Sequence, residues 1–92
     1  MAAELVRQHV VVTGRVQGVF FRDSLRQRAE AHGVAGWASN RGDGAVEAVL
    51  EGSPDEVGRL VDFCRTGPRG AEVEDVEVSE EKPEGLSGFS IR

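Results

Sequence analysis

The run Gly14-Arg15-Val16-Gln17-Gly18-Val19-Phe20-Phe21-Arg22 marks a change of period along the chain. Before it, Val10, Val11, Val12 and Thr13 form a β-branched stretch with Val10 and Val12 on one face, which reads as a strand ending at Gly14. After it, Phe21, Leu25, Ala29 and His32 recur at helical spacing, with Arg22, Arg26, Gln27 and Glu30 elsewhere on the surface and Gly33 as a C-terminal cap. A strand must therefore pass into a helix within a few residues, and two glycines supply the backbone freedom. Amides that open a helix point at whatever such a turn encloses, and Arg22 adds a permanent fork of donors. The segment is a candidate pocket for a small, doubly charged anion such as a phosphoryl group. Its main-chain contacts would come from Arg15, Val16, Gln17, Gly18, Val19 and Phe20.

The remaining segments predict where that turn sits in a fold. Residues 34–40 read as a short strand, and residues 45–51 alternate apolar and acidic side chains, with Val46, Ala48 and Leu50 sharing one face. Asp43-Gly44 between them is a hairpin turn signal. A second helix starts at Ser53, with Pro54 at its first position and Glu56 completing a capping box; Val57, Leu60, Val61 and Cys64 form its buried stripe, and Gly67-Pro68 ends it. Val73, Val76 and Val78 mark an acidic strand solvated on one side, and residues 88–92 offer a last short segment for an edge. The order strand, helix, strand, strand, helix, strand predicts an α+β, ferredoxin-like βαββαβ sandwich: an antiparallel sheet with both helices on one face. At 92 residues, the chain (1–92) is expected to be one domain.

Charge and cysteine usage narrow the possible partners. The net charge is −5, Lys82 is the only lysine, and much of the acidic charge falls between Glu72 and Glu84, so nucleic acid is not expected as a partner. There is no tyrosine and no aromatic stacking pattern of the kind that RNA-binding modules use. Cys64 alone can form neither an internal disulfide nor a cysteine-rich metal site, and no Cys-x-x-Cys pair exists. The N-terminal segment from Met1 to Arg7 lacks the apolar core of a signal peptide, and no later stretch approaches membrane-spanning length. The expectation is a cytoplasmic monomer without a metal or cofactor.

A second run, Gly36-Trp37-Ala38-Ser39-Asn40-Arg41-Gly42-Asp43-Gly44-Ala45-Val46, continues to Gly52. Taken with the first, it resembles the acylphosphatases, whose signatures are a Gly-x-Val-Gln-Gly-Val-x-Phe-Arg loop and a Gly-aromatic-small-x-Asn segment followed by Gly-x-Val. The resemblance covers nearly the whole chain and implies metal-free hydrolysis of the carboxyl–phosphate bond of small acyl phosphates, with inorganic phosphate as a product. It further implies that Arg22 binds the phosphoryl group, that residues 15–20 form the phosphate loop, and that Asn40 positions the attacking water. Some members carry a hydroxyl residue after the asparagine; here the position is Arg41. The leaving group of an acyl phosphate is a carboxylate, already a stable anion, so no general acid is required and positioning with charge stabilisation suffices.

Several residues carry plainer readings. His9 and His32 lie outside both motifs, Asp43 is first a turn residue, Cys64 falls on a buried stripe, and Trp37 packs or touches the acyl portion of a substrate. Without the second run, the glycine loop would equally suit a module that only binds a phosphorylated ligand or partner.

Overall fold

The computed structural model describes residues 4–92; residues 1–3, where the segment weighed above as a leader begins, lie outside the described residues. The elements are β1 (Val6–Arg15), α1 (Phe21–His32), β2 (Ala35–Asn40), β3 (Val46–Gly52), α2 (Pro54–Thr66), β4 (Glu72–Glu81) and β5 (Phe89–Ile91). They form one sheet in the order β4-β1-β3-β2-β5. β3 lies between β1 and β2, and β1 lies between β3 and β4, so each strand–helix–strand unit is split by a strand of the other. This is the ferredoxin-like α+β arrangement.

The pairs β1/β3, β1/β4 and β2/β3 are antiparallel. The C-terminal segment does add an edge strand, but β5 runs parallel to β2, so the sheet is mixed. Two hydrogen bonds fix that direction: Gly36 N donates to Gly88 O at 3.0 Å, and Arg92 N donates to Ala38 O at 2.8 Å. Because β3 opposes both β1 and β2, the strands β1, β2 and β5 all point the same way. Their C-terminal ends, at Arg15, Asn40 and Ile91, therefore gather at one end of the sheet.

The core forms where the strand alternation meets the helical stripes. Val10, Val12, Ala48 and Leu50 of the sheet pack against Phe21, Leu25 and Ala29 of α1 and Val57, Leu60 and Cys64 of α2, all buried. Each of the larger side chains contributes about 1.5–3 kcal/mol by leaving water. α2 begins as its sequence predicts: Ser53 Oγ accepts a hydrogen bond from Glu56 N at 3.4 Å and Pro54 is the first helical residue. Gly33, in the left-handed region, closes α1. Burial pushes the Cys64 thiol up to about 12. At pH 8, alkylation of Cys64 by iodoacetamide is expected to proceed only at the rate of unfolding. Rapid modification of the folded protein would contradict this packing.

One acidic side chain is buried on the sheet face away from the helices. Glu51 is 2% exposed and accepts three main-chain hydrogen bonds, from Glu84 N at 2.6 Å, Gly85 N at 3.0 Å and Leu86 N at 2.8 Å. Arg7 lies opposite it in register on β1 and is held in turn by Glu81 at 2.8 Å and Glu84 at 3.2 Å. Burial by itself raises the Glu51 pKa, but the three amides and the Arg7 charge together outweigh it and hold the carboxyl below its ordinary value. A carboxyl depressed in the folded state stabilises the fold above its unfolded pKa and loses that contribution as pH falls through the folded value. Glu51→Gln is thus expected to cost about 1.5–3 kcal/mol at pH 7. The deficit should shrink as the pH drops below roughly 4.3, the ordinary glutamate value. Urea unfolding of both proteins across that range measures it, and a deficit independent of pH would show that the charge is not what matters.

Candidate active site

The turn from β1 into α1 is built from residues that tolerate unusual backbone. Gly14 has φ +119° at the point where the β1/β4 register shifts, and a Cβ there would meet Glu72 O at 2.2 Å. Gly18 has φ +75° in open space, so there the backbone alone calls for glycine. Phe20, at φ 60° and ψ 30°, is the only non-glycine with positive φ among the described residues. That conformation costs a bulky side chain about 1–2 kcal/mol. Phe20 is also the N-cap of α1, without a side-chain cap, and its carbonyl accepts from Ser24 N at 2.9 Å. Among the described residues, the amides of Val16, Gln17, Gly18, Val19 and Phe20 donate no main-chain hydrogen bond. Five donors at the positive end of a helix are left for something else.

A cavity of about 260 Å³ opens in front of this turn, lined by Val16, Gly18, Phe20, Phe21, Arg22, Asp23, Asn40 and Ile91. Arg22 Nη1 donates to the main-chain oxygen of Arg92 at 3.1 Å, so the C-terminal strand helps aim the guanidinium. Asn40 closes β2, and its Oδ1 is buried with no protein partner. A buried acceptor left unpaired is costly, which suits a place where a water or ligand donates. Asp23 is already engaged, accepting from Arg26 at 2.7 Å and Gln27 at 3.0 Å.

The two motifs are joined by a side chain that the sequence did not single out for this purpose. Gln17 Nε2 donates to Arg41 O at 2.8 Å and to Ala45 O at 3.0 Å. Ala45 O also accepts from Arg41 N at 2.8 Å, so the glutamine amide binds across the neck of the β2–β3 hairpin, next to Asn40. No local sequence signal announces this, since a glutamine in a loop looks the same with or without a distant acceptor.

Of the expected residues, Val16, Gly18, Phe20, Arg22 and Asn40 meet at the cavity. Arg15 ends β1, paired with Glu72; Gln17 faces the hairpin; Val19 is packed on the core. Phe21, Asp23 and Ile91 line the cavity without having been expected there. Arg41 is exposed and pairs with Asp43 at 2.8 Å. The other oxygen of Asp43 accepts from Ala45 N at 3.1 Å, and that bond, aided by Arg41, lowers its pKa. Trp37 lies outside the cavity, with the Arg92 guanidinium 4.5 Å from its ring centre. His9 pairs with Glu47 and His32 with Glu56, each at 2.6 Å, and neither lines the cavity. A wider hollow of about 560 Å³, bordered by Arg28, His32, Phe63 and Arg69 on the helical side, shares no residue with it.

Comparisons with known proteins place the chain in a family. The acylphosphatase family model matches residues 8–91. A curated acylphosphatase of Gloeobacter violaceus is 54% identical over 89 residues, 97% of this chain and 96% of its own. The solved acylphosphatase of Coxiella burnetii superposes with a TM-score of 0.92 at 40% identity, covering 96% of this chain and 93% of that one. The acylphosphatase of Bacillus subtilis superposes at 0.91 with 36% identity, over 95% and 98%. Alike in sequence, in strand order and along almost its whole length, the chain belongs to the acylphosphatase family.

Proposed function

We propose that the 260 Å³ cavity is where this acylphosphatase hydrolyses its substrate, with the phosphoryl group seated on the free amides of residues 16–20 and gripped by Arg22. The observation that carries this reading is the convergence, on one small cavity, of unpaired main-chain donors, a guanidinium and the unpaired Asn40 Oδ1. Arg15 precedes these amides and keeps the loop in register with β4. In the reaction, Asn40 Oδ1 accepts a hydrogen bond from a water and orients its oxygen toward phosphorus. The new P–O bond forms as the bond to the acyl oxygen breaks, and the electron pair leaves with the carboxylate. An amide cannot take a proton at neutral pH, so the water's proton passes to an oxygen of the substrate's own phosphoryl group. Arg22 and the amides hold the equatorial charge throughout.

Metal-independent turnover is part of the proposal. It is supported by the leaving group, which needs neither protonation nor a Lewis acid. The whole chain is proposed to work as one catalytic unit on small molecules, as a cytoplasmic monomer. Its net charge of −5 weighs against nucleic acid as a partner, and no helix among the described residues is long and apolar enough to cross a membrane.

Hydrolysis of benzoyl phosphate in the presence of a chelator tests the site. Wild type is expected to turn over fully. Arg22→Ala should lose about 10³-fold or more in kcat/KM, and Arg22→Lys should recover little, since it keeps the charge and loses the fork. Asn40→Ala should lose about 10²–10³-fold, mainly in kcat. Equal activity in all four proteins would sink the assignment, and phosphate binding without hydrolysis by wild type would favour a binding module. Gln17→Ala should lower kcat by about tenfold to a hundredfold, because it frees the hairpin that carries Asn40. Steady-state kinetics at wild-type level in that variant would show the tether to be dispensable.

A further inference from the structure

Phe20 incurs two costs that the fold does not explain. Its backbone is left-handed, where glycine or asparagine fits with less strain, and its ring is 78% exposed to water. The ring is absent from the hydrophobic core, whereas its neighbour Phe21 is 2% exposed and packs within it. What Phe20 does border is the catalytic cavity, where Val16 and the 37%-exposed Ile91 are the aliphatic side chains. Ile91 pairs in register with buried Ala38, which places it on the helix-facing side of the sheet at the same end as Asn40.

The charges at the cavity point the same way. Arg22 is the one cation among its lining residues, and a phosphoryl group there occupies it. Asp23 already accepts from Arg26 and Gln27, and the lining residues offer no second cation, so a second carboxylate on a substrate would find no free charge partner there. An apolar group leaving the phosphoryl seat toward solvent would instead cover exposed ring and aliphatic surface.

We propose that Phe20 and Ile91 form an apolar mouth that holds the acyl group, so that the enzyme prefers acyl phosphates with an uncharged aryl or bulky alkyl chain to short-chain or acid-bearing ones. This deepens the proposed function and rests on its placement of the phosphoryl group. The experiment is kcat/KM for benzoyl, acetyl and succinyl phosphate in wild type, Phe20→Asn and Ile91→Ala, with circular dichroism to confirm folding. Asparagine tolerates the left-handed backbone and removes the ring. Wild type should favour benzoyl over both other substrates. The benzoyl-to-acetyl ratio should fall about tenfold in Phe20→Asn and about threefold in Ile91→Ala. A ratio that stays constant in both variants, including one kept through a uniform loss, overturns the apolar mouth while leaving the phosphate site intact. A wild type that cleaves none of the three substrates instead overturns the proposed function itself, and the mouth with it.

Discussion

The carboxylate of Glu51 decides where the end of the chain goes. Residues 82–88 have no strand partner, yet they must return the chain to the start of β2 so that β5 can run beside it. Three successive amides anchored on one buried carboxylate hold that return in place, and the carboxylate is kept ionised by those amides and by Arg7. From there the consequences run to the site. β5 is set parallel to β2, Ile91 reaches the cavity, and Arg92 presents its main-chain oxygen to Arg22. A charge on the sheet face opposite the helices thereby orients the guanidinium on the helical side.

The site itself is an arrangement of tethers around very little chemistry. Arg22 is held from Arg92, the residue after β5, Asn40 sits at the end of β2, and Gln17 fastens the glycine loop to the hairpin that follows Asn40. None of these groups changes its charge near neutral pH. That restraint fits a reaction whose leaving group needs no proton and whose barrier falls mostly through placement and fixed dipoles. The histidines, which would serve acid–base chemistry, are engaged elsewhere, with Glu47 and Glu56.

Much of this was legible in the sequence, for identifiable reasons. α2 was readable because Ser53, Pro54 and Glu56 carry their own capping chemistry, and α1 because its apolar spacing ends at a glycine. The meeting of Arg22 and Asn40 followed from two motifs at the ends of strands the topology makes parallel. What stayed hidden depends on register and direction. β1 begins at Val6 rather than after His9, because Arg7 and Gln8 disguise their strand. The alternation of residues 45–51 looks the same whether Glu51 faces water or three amides. Strand direction leaves no trace in composition, so the parallel β5 was unreadable, and so was the role of a main-chain oxygen at Arg92.

The hydrogen bond from Arg22 to Arg92 spans seventy positions of sequence. Closing so long a segment has to precede any benefit from the contact, which places completion of the site late in folding, after local helices and the central β1–β3 pairing. An anion that needs the finished site binds the native chain and not its unfolded ensemble. On the proposed reading that anion is phosphate, and its binding would stabilise the whole fold by an amount set by its concentration relative to its dissociation constant.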